Sequence, residues 1–133
     1  MKGKSNWGFY GVKIIKQILV SGEPDPIYID EYYNDDQYFE ESIMIIRAQS
    51  FEHACKIAKK KATEDEEPYE NIYGQKVVWK FIGTVDCFEI WDEIKSGAEV
   101  YSCFHSANKN ETASEFINKR FTPADGCRKA RRR

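Results

Sequence analysis

One stretch of this chain, Phe51 to Glu67, carries apolar residues at the spacing of a long helix, and the segments on either side alternate as strands do. Phe51, Ala54, Ile57, Ala58 and Ala62 fall on one stripe, and Lys56, Lys59, Lys60 and Lys61 fall on the opposite side. Ser50 stands where an N-cap is needed and Pro68 closes the element. The acids from Glu64 to Glu67 would meet the negative end of the helix dipole, so fraying is expected near Thr63. A single long helix can cover one face of a sheet and leave the other open.

The strand signals are long. In residues 7–20, Tyr10, Val12 and Ile14 share one face, and Phe9, Gly11, Lys13 and Ile15 share the other. Residues 21–26, SGEPDP, are turn chemistry, and Ile27 to Ile29 read as a short edge strand before the loop NDDQ. Tyr38 to Gln49 forms a second strand. Phe39, Ile43 and Ile45 lie on one face and Met44, Ile46 and Ala48 on the other, which points to a central position for its second half. After the helix, residues 70–74 (ENIYG) form a turn with Gly74 in the left-handed region. Residues 75–91 form a strand interrupted at Gly83, either by a bulge or by division into two strands. Residues 98–104, AEVYSCF, read as a last strand.

These elements predict an α+β fold: an antiparallel sheet of four to five strands in β-β-α-β-β order, one main helix packed on one face, and a short C-terminal helix over 111–121 capped by Asn110. A boundary near Ser106 separates a core domain (1–106) from an extension (107–133) with that helix and a basic, flexible tail. The 133 residues suit one domain with a real core, and eight Phe, eight Tyr and three Trp suffice to fill it.

Charge is unevenly spread. From Lys119 onwards seven basic residues face one acid, Asp125, so a chain of net charge −2 divides into a tail of +6 and a body of −8. No apolar run approaches the length of a membrane span, and the N-terminus shows no signal-peptide pattern. Cytoplasmic residence and reduced thiols are therefore expected, with Cys55 and Cys87 acting as small core residues.

Each familiar chemistry lacks a part. Cys103 and His105 point to the same side of a strand and form a possible half of a metal site, but no second ligand pair accompanies them, so no metal or cofactor is assigned. The alternative is a buried thiol beside a surface imidazole. His53 and Cys55 do not face each other on a helix, and no nucleophile motif is present. Glu40 and Glu41 point to opposite sheet faces and form no dyad together, although either can meet Asp86 or Glu89 across the sheet. The glycines match no phosphate-binding loop. No catalytic residue is assigned.

Binding features remain. Tyr28, Tyr32, Tyr33 and Tyr38 cluster with Asp35, Asp36 and Glu41 in an acidic segment, a composition suited to a basic protein partner. The alternative is that these tyrosines pack their own loop onto the sheet. Lys119, Arg120, Arg128, Lys129, Arg131, Arg132 and Arg133 suit nucleic-acid phosphates through the tail, against repulsion from the acidic body. The open sheet face suits a small ligand, and that face or an exposed edge strand also suits a homodimer.

Three stretches bear on kinship: WGFYGVKII near the start, YFEESIMIIRAQSFEHACKIA in the middle, and YGQKVVWKFIGTVDCFEIWDEIKSGAEVYSCF towards the end. In this order they resemble the DUF4288 family of small bacterial proteins. The resemblance covers most of residues 7–104 and implies a small cytosolic bacterial domain with no assigned chemistry. The insertion from Pro24 to Gln37 and the basic end beyond Asn108 depart from the family pattern. The expectation is a non-enzymatic protein-interaction module, in its most concrete form an immunity- or inhibitor-type protein of bacteria or their phages that sequesters a basic partner.

Overall fold

The computed structural model describes residues 6–121. The basic residues Arg128, Lys129, Arg131, Arg132 and Arg133, together with Cys127, lie outside the described residues. The chain divides after Tyr101 into two units.

In the first unit, β1 (Gly8–Ser21), β2 (Tyr38–Ala48), α1 (Phe51–Glu64), β3 (Tyr69–Glu70) and β4 (Lys76–Ile90) follow one another in the β-β-α-β-β order of an α+β fold. The four strands form one open antiparallel sheet with spatial order β2-β1-β4-β3. The alternation in β1 sets its faces. Tyr10, Val12 and Ile14 are buried together with Ile46 and Ala48 of β2. Above them α1 lays down Ala54, Ala58 and Ala62, all buried and spaced one per turn, which allows the helix to approach the sheet closely. Full burial of Val12 and Ile14 is worth about 1.5–3 kcal/mol each. Ser50 caps α1 as expected, its hydroxyl accepting from His53 N at 3.1 Å, and His53 Nδ1 accepts from Gln49 N at 3.0 Å. The helix ends at Glu64, one residue beyond the expected fraying point.

Several elements differ from the sequence-based expectation. Residues 98–104 form no strand: Ala98 N and Glu99 N bond to Lys95 O and Asp92 Oδ2 in a turn, and Tyr101 packs its ring against Phe88 with centroids 4.8 Å apart. The fourth strand is instead the two-residue β3, within what reads locally as a turn. Pro26–Tyr28 is a 3-10 helix and not an edge strand, because Pro26 lacks the N–H a ladder needs and Asp25 Oδ1 caps Ile27 N. β2 is an edge strand and not a central one, and its second apolar face, with Ile43 and Ile45, is exposed because α1 packs on the opposite side of the sheet. Gly83 does not split β4. It lies between two register shifts, which leave Ile82 and Val85 as bulged residues.

On the face away from α1, Phe88 lies across Gly11. A Cβ at position 11 would sit 2.2 Å from the Phe88 ring, so any larger residue there would have to displace that ring. Gly74, at φ 79°, takes the left-handed conformation expected of the turn before β4.

In the second unit, α2 (Ala113–Arg120) is capped by Thr112 and not by Asn110. Thr112 Oγ1 accepts from Glu115 N and Glu115 Oε1 accepts from Thr112 N, a reciprocal capping box, while Asn110 belongs to the preceding turn, its N–H donating to Asn108 Oδ1. His105 meets the rings of Phe116 and Phe121 at 5.5 and 5.9 Å. No helix among the described residues is long and apolar enough to cross a membrane.

Candidate functional site

The far end of the first unit's sheet holds a half-open cleft of about 490 Å³. Its floor is apolar. Val20 pairs with Val77 and Ile18 with Trp79, and Ile18, Val20 and Val77 line the cleft. Ile18 and Val20 continue the β1 face that α1 covers further along the strand. Here loops replace the helix as the cover.

Two loops make the walls, and hydrogen bonds join them. The 22–37 segment is tied to the β3–β4 turn by Asp25 N donating to Tyr73 O at 2.8 Å and by Tyr73 OH donating to Asp30 Oδ1 at 2.8 Å. Tyr33 stacks edge-on against Tyr73, 5.0 Å between centroids. The carboxylate beside it pushes the Tyr73 phenol above its ordinary pKa of 10.0, with loss of hydration adding to the effect. Asn71 organises the turn: its Oδ1 accepts from Tyr73 N and Gln75 N, and its Nδ2 donates to Gln75 Oε1. Gln75, buried, passes the connection on by donating to Gly22 O at 2.9 Å. Asn34 Oδ1 accepts from Asp36 N and from Tyr38 OH, which shapes the opposite wall.

Of the partner-binding residues expected from sequence, Tyr32, Tyr33, Asp35, Asp36 and Tyr38 line this one cleft. Tyr28 and Glu41 do not. Tyr28 ends the exposed 3-10 helix, and Glu41 lies on the open sheet face bonded to Lys13 Nζ at 2.9 Å. Reading the sequence missed Tyr69 and Tyr73, which add two more phenol rings to the walls. A signal for them exists: an insertion as long as 22–37 inside a small domain must rest on something, and a tyrosine-bearing turn directly before a strand is a suitable support. Tyr69 is further held by Trp79 Nε1, which donates to its hydroxyl at 2.9 Å.

On the open face the carboxylate of Glu41 is engaged by Lys13. Lys13 stands between Glu41 on one neighbouring strand and Asp86 on the other, and its bond to Glu41 raises the ammonium pKa above 10.5 against the opposing effect of burial. Glu41, Trp79 and Asp86 take no part in the cleft. Cys55 and Cys87 pack against the core cluster, and burial, followed by the hydrogen bond to Cys55, pushes the Cys87 thiol up to about 11. In the second unit, Cys103 Sγ lies 3.4 Å from His105 Nε2, and no group of three or more His, Cys, Asp or Glu side chains among the described residues is placed to hold a metal ion. Lys119 and Arg120, the two described members of the basic set, have local contacts: Lys119 with Glu111 at 3.4 Å, and Arg120 over the Phe116 ring at 4.6 Å.

No curated protein and no solved structure matches the chain. Residues 9–102, which hold α1 and all of the sheet but Gly8, match the domain of unknown function DUF4288, and the chain belongs to that family.

Proposed function

We propose that this protein is a non-enzymatic recognition module that binds a basic protein partner through the tyrosine-lined cleft. One observation supports the reading above all: a single cleft gathers the rings of Tyr32, Tyr33, Tyr38, Tyr69 and Tyr73 and the carboxylates of Asp35 and Asp36 over an apolar floor. A lysine or arginine side chain has the matching chemistry. Its methylenes suit Ile18, Val20 and Val77, and its cation suits phenol rings and carboxylates. The acidic body steers such a partner and disfavours acidic competitors. In its most concrete form the protein sequesters a basic partner in the manner of an immunity protein.

The test is calorimetric titration of the full chain with lysine- and arginine-rich, neutral and acidic peptides at low and high salt. Tyr32, Asp35 and Asp36 are exposed, so their replacement spares the fold. Basic peptides should bind preferentially, and Asp35→Ala with Asp36→Ala should weaken them by about tenfold. Tyr32→Ala should weaken them at both salt concentrations. Equal binding of acidic and basic peptides, or indifference to all three substitutions, would refute the proposal.

A further inference from the structure

The two long edges of the sheet are treated differently. The outer edge of β4 is interrupted. Ile82 and Val85 bulge, β3 pairs at Lys76 and Val77, the Glu66 carboxylate accepts from Phe81 N at 2.9 Å, and Asp86 Oδ1 accepts from Cys87 N at 2.8 Å. These are devices that keep an edge from pairing with another strand. β2 has none of them. Its register against β1 runs unbroken from Gly8↔Ala48 to Ile18↔Tyr38, and it contains no proline. Among the described residues, no backbone group of β2 bonds to anything beyond the sheet. Ile43 and Ile45, at 52% and 53% exposure, line the open face beside this edge.

We infer that two copies of the chain pair antiparallel through the outer edge of β2, with Met44 on the two-fold axis. A two-fold axis perpendicular to the sheet keeps each strand's faces, so opposed residues must share a face and the axis must pass through a residue position. Charge then selects the position. Centred on Met44, Glu41 opposes the partner's Arg47, and Ile43 opposes the partner's Ile45, all on the open face. Centred on Ile43, Arg47 opposes the partner's Phe39 and Glu41 opposes the partner's Ile45. Centred on Ile45, Arg47 opposes the partner's Ile43. The Met44 register alone among these pairs opposite charges and like apolar side chains. The resulting sheet is continuous and extends the open apolar face across both copies, while the cleft between the 22–37 loop and the β3–β4 turn is left to each copy.

Sedimentation of the full chain over a dilution series tests this, with thermal melts to follow the fold. Wild type should dimerise. Arg47→Glu sets like charges opposite one another twice per dimer and should weaken dimerisation by about tenfold or more. Glu41→Arg combined with Arg47→Glu should restore it to within about threefold of wild type, a coupling that effects within one copy would not produce. This matters because Arg47 also lies over the Trp7 ring and Glu41 also bonds Lys13. Ile45→Lys, at an exposed site, should abolish the dimer even if the charge variants lose stability. A wild type that stays monomeric throughout, a dimer unmoved by Arg47→Glu or Ile45→Lys, or a double variant no better than Arg47→Glu alone overturns the inference.

Discussion

On one face of one sheet, Tyr10, Val12 and Ile14 lie beneath the alanine stripe of α1, whereas Ile18, Val20 and Val77 lie in the floor of a cleft walled by loops. The strand is the same and its alternation is unbroken. What differs is the cover. A helix with its own hydrogen bonds satisfied can present an apolar stripe and close down to van der Waals contact. A loop brings unsatisfied backbone groups with it, so its own side chains must satisfy them, as Asn34, Asn71 and Gln75 do here. The first solution leaves no space and supplies stability. The second leaves a volume bordered by phenols and carboxylates, which is where recognition is best placed.

Three substitutions separate the two regions. The largest effect is expected under the helix. Ile14→Ala removes a side chain with 1% exposure and should cost about 2–5 kcal/mol in denaturant unfolding. The cleft should keep its shape in the fraction that remains folded. Asn71→Ala should cost less, about 1–3 kcal/mol, because Tyr73 N and Gln75 N lose their acceptor. Its effect should concentrate at the cleft, with faster amide exchange in 71–75 and 22–37 than beneath α1. If Asn71→Ala loosens both regions equally, the division between them is not real.

The smallest effect belongs to Tyr73→Phe, which deletes only the bond to Asp30. The cost near neutral pH should be the smallest of the three in denaturant unfolding, because the bond is exposed to water. The sign of its pH dependence follows from the raised phenol pKa in the folded state. The folded chain holds this proton more tightly than the unfolded one, so the contribution is complete below pH 10.0 and is lost as pH rises through the folded value. Wild type should therefore lose more stability than Tyr73→Phe between neutral and strongly alkaline pH. Parallel stability curves would show that this bond contributes nothing.

Much of the helix-covered half was readable in advance. Ser50, the stripe from Phe51 to Ala62 and the alternation in β1 depend on residues within a turn or two of one another, and each stands as read. The cleft was half readable. Composition marked Tyr32, Tyr33, Asp35, Asp36 and Tyr38 as a group, but Tyr69 and Tyr73 join them only because Val20 pairs with Val77, which carries the β3–β4 turn beneath an insertion some forty residues earlier in the chain. Glu41 lies close to the tyrosines along the chain, yet the pleat turns it to the other face, where Lys13 takes it.

The sequence by itself determined the main elements of this protein: β1, β2, α1 and β4 to within a residue or two, the cap that closes α1, and the α+β class, whereas the short strands it suggests at 27–29 and 98–104 do not form and β3 reads as a turn. Local sterics, hydrogen bonding and periodicity suffice for that. Only the tertiary structure decided which strands are neighbours. Apolar residues on both faces of β2 suit a central strand and an edge strand awaiting a partner equally well, because the pattern records that a face is apolar and not what covers it. The order β2-β1-β4-β3 makes β2 an edge, keeps 98–104 out of the sheet, and places two distant loops over one floor. Strand pairing links residues far apart in the chain, and no short window of sequence contains both partners.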